Sequence, residues 1–418
     1  MPSPFIRVSP PIVVAGLVVL GLIVWSGWQV ESVLSPAEAQ TTILFNQGLD
    51  PVETRAPSGW TNQWCGSCHK KEHEEWSGSR HNVAASTDNF AVECLEPGSG
   101  RQQYCLNCHA PRIPARGLPT SEPPGLDADY KQKPEWLTAG VDCLTCHVRD
   151  GQVVSTKVTA KGQAAHAMRA DHALGQAEFC AGCHQFAFKD IDLPDRFHGA
   201  LQQASLEEFL EYREAGGVET RCHDCHMPRG GHHMPGGYDD QMVRQAVKME
   251  LEANWIEPGK VAEVRVTLKA GRVGHRVPGG EELRFLTLRT QLVGGDGLPV
   301  GTPEAVEEGA AELDGWPVVE TLRRHMGDLE HGRDPTAAPA PDTRLKPMET
   351  RTHVYRVTIP SNVAGADDGP LKVRSRLWYH LMHDGKAKLF GHATKDVQRV
   401  IHEQVVRLPA FSKLSTGP

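Results

Sequence analysis

Some long stretches of this 418-residue chain are short of the material that builds a core. Apolar residues make up 39% of the whole sequence and aromatics 6%, beside 41 glycines and 30 prolines. A stretch such as PRIPARGLPTSEPPGLDADY, residues 111–130, cannot bury enough apolar surface to order itself around side chains alone. Basic charge is not in excess: the formal net charge is −8, and nothing points to a nucleic-acid partner. Cysteine outside one repeated pattern is almost missing. Of eleven cysteines only Cys94 stands alone, read as a buried thiol, with an intermolecular disulfide as its alternative in an oxidising compartment.

What is present is Cys-x-x-Cys-His, five times. The copies are Cys65, Cys68 and His69; Cys105, Cys108 and His109; Cys143, Cys146 and His147; Cys180, Cys183 and His184; and Cys222, Cys225 and His226. Positions i and i+3 share a face on a helical turn. Two thiols there can bond both vinyl groups of one porphyrin, and the histidine that follows binds the iron from below. Structural zinc and a thioredoxin-like redox pair are the competing readings of Cys-x-x-Cys. Neither needs histidine at the next position. Histidine is 21 of 418 residues, so five such hits by chance have odds on the order of 10⁻⁷. The expectation is five covalent haem c groups, with His69, His109, His147, His184 and His226 as proximal iron ligands.

Residues 8–30 carry no charge. An uncharged apolar stretch of about 18 residues or more can span a bilayer. Arg7 before it and Glu31 after it give a weak bias toward a cytoplasmic N-terminus. A cleaved signal is the alternative, with small residues in AEAQ at 37–40. Either reading exports the haem-bearing part to the periplasmic side, where covalent haem attachment takes place in bacteria. The expected organisation is α+β. An anchor or signal occupies 1–30, a linker 31–60, a helix-and-loop pentahaem domain 61–247, and an antiparallel β-sandwich 248–412.

Two helices can be drawn. SLEEFLEYREAGG reads as a capping box, Ser205 with Glu208, with Leu206, Phe209 and Leu210 inward and Gly216-Gly217 as the stop. A second follows Asp239-Asp240, with Met242, Val243, Ala246 and Val247 inward. The period then changes to two. Met249, Leu251, Ala253 and Trp255 alternate, the turn EPGK follows at 257–260, and Val264, Val266 and Leu268 alternate after it. Further strand-like runs start at Leu283, His353, Leu371 and Val397, around a Pro- and charge-rich excursion at 301–350.

CGSCHKKEHEEWSGSRH, GVDCLTCHVRDG, FCAGCHQF and CHDCHMP...HHMPGG resemble the multihaem cytochromes c related to hydroxylamine oxidoreductase and the ammonia-oxidiser cytochromes. The resemblance covers roughly residues 60–295. It implies distal ligands at His81 in the Trp-x-x-Ser-x-His run, at His232 in His-x-x-Pro-Gly with His233 as rival, and at His275 in GHRVPGG. His166, His172, His198 and His73 are candidates for the remaining irons. Met227 and Met234 could also ligate and would raise the potential. Bis-histidine ligation ranks first because histidine is in excess.

Bis-histidine iron exchanges electrons and has no place for substrate, so electron transfer leads. The anchor would tether the chain near a quinol-oxidising membrane partner or a periplasmic reductase, and a redox partner would dock through a basic face. A reductase for nitrite, hydroxylamine or a sulfur oxyanion is the first rival. Many pentahaem nitrite reductases use a Cys-x-x-Cys-Lys haem, which this sequence lacks, and no catalytic residue is assigned. A haem filament or surface scaffold is the second rival.

Overall fold

In a computed structural model of the chain, residues 55–87, 90, 102–112, 140–187, 201–281, 283–301, 317–324, 342–360 and 370–409 are described. The expected apolar span at 8–30, most of the 31–60 linker, Cys94 and His198 lie outside these residues. Among the described residues, no helix is long and apolar enough to cross a membrane.

Short helices dominate the first half: α1 (Asn62–Gly66), α2 (Lys70–Ser77), α3 (Gln102–His109), α4 (Cys143–His147), α5 (Ala160–Ala165), α6 (Ala177–His184), α7 (Ser205–Glu214), α8 (Cys222–His226) and α9 (Asp240–Ala246). Small sheets sit among them. β1 (Val148–Arg149), β2 (Gln152–Ser155) and β3 (Met168–Ala170) form one, and β4 (Gln185–Ala187) with β5 (Leu201–Ala204) forms another. Helices this short gain little from propagation, so their ends matter. Thr61, Asp142, Thr159 and Asp239 each accept a backbone N–H at the start of α1, α4, α5 and α9. Apolar packing between α6 and α7 is small, formed by Ala177, Ala181 and Leu206.

Helix α7 departs from its expected start. Ala204 is the N-cap, and the helix start is capped from β4 instead: Gln185 Oε1 accepts the Leu206 N–H at 3.0 Å and the Glu207 N–H at 3.2 Å. The Glu208 carboxylate is buried and turned to arginines of the second half instead. The stop is as expected, with the Gly217 N–H donating to the Tyr212 carbonyl at 2.9 Å.

From Val247 the chain is mostly strand: β6 (Val247–Glu257), β7 (Val261–Ala270), β8 (Phe285–Val293), β9 (Pro299–Gly301), β10 (Val318–Arg323), β11 (Thr350–Thr358), β12 (Lys372–His380) and β13 (Gln398–Arg407). Helices α10 (Asp384–Leu389) and α11 (Thr394–Val397) separate the last two. One sheet runs β10-β8-β12-β13, with β9 on β8, and the other β11-β7-β6; the pairings are antiparallel. Val264, Val266 and Leu268 of the second sheet and Leu286, Leu288, Leu292, Leu377 and Ile401 of the first belong to one buried cluster. Two sheets sharing one apolar layer form a β-sandwich. Side chains bridge the gap between edge strands β13 and β6: His402 Nε2 lies 2.7 Å from the Val247 carbonyl, and Gln404 Nε2 donates to the Met249 carbonyl at 2.5 Å.

Two features differ from the period-two reading. The 301–350 excursion contains a strand, β10, which pairs with β8. Its six residues are bounded by polar and Pro-rich sequence, so no sustained alternation marks it. Strand β8 is buried at every position, not on one face. Its second face is polar: Thr287 bonds His380 at 2.9 Å, and Arg289 is 1% exposed.

Leu288 is fully buried between the sheets. Leu288→Ala is expected to cost about 2–5 kcal/mol, read by chemical denaturation, while the mass of the denatured protein shows unchanged covalent haem.

Candidate metal centres

Four of the five Cys-x-x-Cys-His motifs end a helix on their histidine: α3, α4, α6 and α8. The first straddles a joint, with Cys65 in α1, Ser67 as its C-cap and His69 capping α2. A single helical turn therefore carries both thiols, as the spacing requires. No disulfide joins any of the ten motif cysteines. Among the described residues no group of three or more His, Cys, Asp or Glu side chains converges as a bare metal site would need.

Four of the five motif histidines are held at Nδ1. His109 Nδ1 donates to the Ala84 carbonyl at 2.7 Å, His147 Nδ1 to Val154 at 3.1 Å, and His226 Nδ1 to Pro235 at 2.7 Å. The Gln203 amide lies 3.1 Å from His184 Nδ1. An Nδ1–H that donates to a carbonyl, as at His109, His147 and His226, fixes the tautomer and leaves Nε2 as the donor atom for a metal. Burial favours the neutral ring. It pushes the His184 imidazole down to about 3, and lowers His147 and His226 as well.

Three of these rings face a second imidazole from a distant part of the chain. His184 faces His81 at 6.2 Å between ring centres, His147 faces His232 at 6.1 Å, and His226 faces His275 at 6.3 Å. Metal–nitrogen bonds of about 2 Å, with each ring centre roughly 1 Å beyond its nitrogen, put two imidazoles on one metal about 6 Å apart. The three spacings therefore fit an iron in each gap. His232 Nδ1 is sealed from solvent without a protein partner. His81 is held by burial at about 4, and its Nδ1 rests on Met234 Sδ. Met234 has a left-handed backbone, φ 46°, and its sulfur stands at the back of a facing imidazole.

Two devices position the facing histidines. The Glu75 carboxylate on α2 accepts the His232 N–H at 2.8 Å and lies 3.5 Å from exposed His233. That contact lowers its pKa, chiefly through the His232 backbone bond. The loop of His275 is clamped to α7. Arg276 bonds Glu211 through Nε at 2.8 Å and Nη2 at 3.1 Å, its N–H meets Glu208, and its Nη1 meets Asp342 at 3.1 Å. Arg344, 4% exposed, bonds Glu208 at 2.6 Å, Asp342 at 2.7 Å and the Pro278 carbonyl at 3.1 Å. A Cβ on Gly279 would stand 2.5 Å from the His275 ring, which explains glycine at that position.

The other candidates sit differently. The ring of His166 lies 6.5 Å from both Trp60 and Trp64, at the first motif. His73 packs on Trp76 at 5.7 Å and over Gly66. His172 is exposed in a 3₁₀ turn. His109 stacks on Phe90 at 4.6 Å, too close for a metal between those two rings.

Thiols of different motifs are neighbours that shift one another's acidity: Cys65 with Cys143, Cys108 with Cys183, and Cys180 with Cys222. Cys146 is electrostatically coupled to Cys183, and burial raises its thiol to about 12. The motifs thus adjoin in space as first to third, third to fourth, and fourth to both second and fifth.

Residues 64–148 match the family model described as cytochrome c554 and c-prime. A penta-heme cytochrome c552 from Thermochromatium tepidum has a similar structure, with a TM-score of 0.61 and 22% identity over 83% of this chain and 98% of that one. The match is to multihaem cytochromes c. At that identity the likeness to the c552 structure is one of fold. No curated protein matches the chain.

The clamp around His275 generates a test within this cytochrome fold. Arg344→Met leaves buried Glu208 without its counter-charge, at a cost of about 3–5 kcal/mol, and should release the His275 loop. A ferric high-spin signal equal to one haem is expected at neutral pH. Burial raises the Asp342 carboxyl, but Arg344 and Arg276 outweigh it and hold it below the usual range. Its stabilising contribution is therefore full above about pH 4 and fades as pH falls through the depressed value. The parent protein should gain the same high-spin signal only in acid.

Proposed function

We propose that the protein is an electron carrier with five c-type haems in one connected array. The cysteine pairs 65/68, 105/108, 143/146, 180/183 and 222/225 would hold them covalently, with His69, His109, His147, His184 and His226 as proximal ligands. His81, His232 and His275 would be the distal ligands of the fourth, third and fifth haems. His166 remains a candidate at the first, and His198 at another iron. Each haem supplies a one-electron couple when bound. The observation that carries the reading is the set of three imidazole pairs at 6.1–6.3 Å. An iron with two imidazoles in place has no free position for substrate, so such sites can exchange electrons and little else. The neighbouring thiols of different motifs support short steps from site to site.

Residues 8–30 would hold the array at the periplasmic face of the cytoplasmic membrane; the alternative is a cleaved signal and a soluble periplasmic or extracellular protein. A membrane quinol oxidoreductase and a periplasmic reductase are the partners such a carrier would connect. Kinship with the cytochromes related to hydroxylamine oxidoreductase is part of the same proposal. It is supported by the runs that hold His81, His232 and His275.

The deciding experiment compares reduced spectra with and without carbon monoxide, in the parent protein and in His232→Ala. The parent bands are expected to stay in place, and the variant to bind one more carbon monoxide than the parent. Reduced parent should also be reoxidised slowly by nitrite or hydroxylamine. A carbon monoxide shift of about one haem in five in the parent, together with fast reoxidation by either compound, would make it a reductase instead.

A further inference from the structure

Arg284 lies just ahead of β8, after the loop that carries His275. Its Nη1 donates to Tyr379 Oη at 3.2 Å, and its guanidinium carbon is 5.5 Å from the centre of the Tyr238 ring. Its Nε is sealed from solvent and has no hydrogen-bond partner. Glu281 acts on it through space, but among the described residues no carboxylate forms an ion pair with it. Arg80, the residue before His81, lies over the same Tyr238 ring at 4.2 Å. The nearby Arg399 is already engaged, by Asp240 at 3.0 Å and by the Gly237 carbonyl. A Cβ at Gly237 would collide with Arg284 Nη1 and Tyr379 Oη, so the backbone there is pressed against this cluster.

A sealed guanidinium nitrogen without an acceptor is costly. Arginine is also the side chain best shaped to grip a planar carboxylate. The cluster adjoins one imidazole pair from both sides. Arg80 is next to His81 in the chain. Arg284 shares the Tyr238 ring with Arg80, which brings it to the same pair. We propose that Arg284, helped by Arg80, binds a propionate carboxylate of the haem held between His81 and His184. This rests on the electron-carrier reading, because it needs a haem at that pair. A free oxyanion such as phosphate has the same chemistry and is the competing occupant.

The test uses the holoprotein and the variants Arg284→Gln, Arg284→Lys and Arg80→Gln. Tryptic peptide mass first shows whether Cys180 and Cys183 carry a haem; if they do not, the carrier reading fails at that site, independently of Arg284. With the haem in place, two readouts follow: the propionate bending bands in resonance Raman, and the potentials from spectroelectrochemistry. A fixed positive charge favours the reduced iron, so Arg284→Gln should shift a propionate band and lower one haem potential. A tenfold change in that redox equilibrium is about 59 mV for one electron. Arg284→Lys keeps the charge but loses the planar grip, so the band should shift while the potential stays near the parent value. Exposed Arg80 should give a smaller change of the same sign. Unchanged bands and potentials in all three variants would overturn the proposal. So would parent spectra that respond to added phosphate through Arg284 while the propionate bands are the same in parent and variants.

Discussion

Imidazoles from distant parts of the chain meeting in pairs about 6 Å apart are the constraint on which the rest of this structure depends. His81 with His184, His147 with His232, and His226 with His275 tie together segments that little else would hold. The helices between them are short, and the apolar packing of α6 on α7 involves small residues. Apolar side chains that are spread over short helices and Pro/Gly-rich loops offset little chain entropy by packing on one another. Ligation and covalent attachment would supply the missing cross-links. That is why the capping residues and the Nδ1 bonds matter: they set the direction of the His109, His147 and His226 rings.

The second half follows a different physics. Its strands bury a continuous layer from Met249 to Ile401, and the hydrophobic effect is enough to define it. The two regimes meet at the charge cluster of Glu208, Glu211, Arg276, Asp342 and Arg344. Buried ion pairs contribute modest net stability, because desolvation opposes the Coulomb attraction. Their value here is in register. Arg344 binds α7 and the carbonyl of Pro278 together, and His275 can then point in only one direction.

Much of this was legible in residue order, and the reasons are specific. The motif histidines announce themselves by spacing, and β6 and β7 by strict alternation that the buried pattern follows residue by residue. His81, His232 and His275 stand out through short motifs. The pairing of each with its partner does not, because it depends on how loops cross in space. Glu208 was misread for a physical reason. Ser at one position and Glu three later is a capping pattern, yet a buried guanidinium attracts a carboxylate more strongly than a backbone N–H does. Glu75 and Arg284 left no sequence signal, since a lone charge near a loop reads as solvated surface. Strand β8 defeats the period-two rule because its second face is also covered.

The position of His275 has a thermodynamic consequence. It is offered by a loop between strands β7 and β8 of the sandwich, while its partner His226 ends a helix of the motif region. A ligand bond that forms only when the sandwich is folded adds its binding free energy to the sandwich's stability, and the reverse holds equally. Because ferric and ferrous iron bind a second imidazole with different strength, ligation by His275 would link stability and reduction potential at this one site. The other two pairs lie wholly within the first half, so neither takes a ligand from the sandwich. His275 would therefore be the one imidazole through which the sandwich reaches the array, and the arginine clamp determines how rigidly that influence is transmitted.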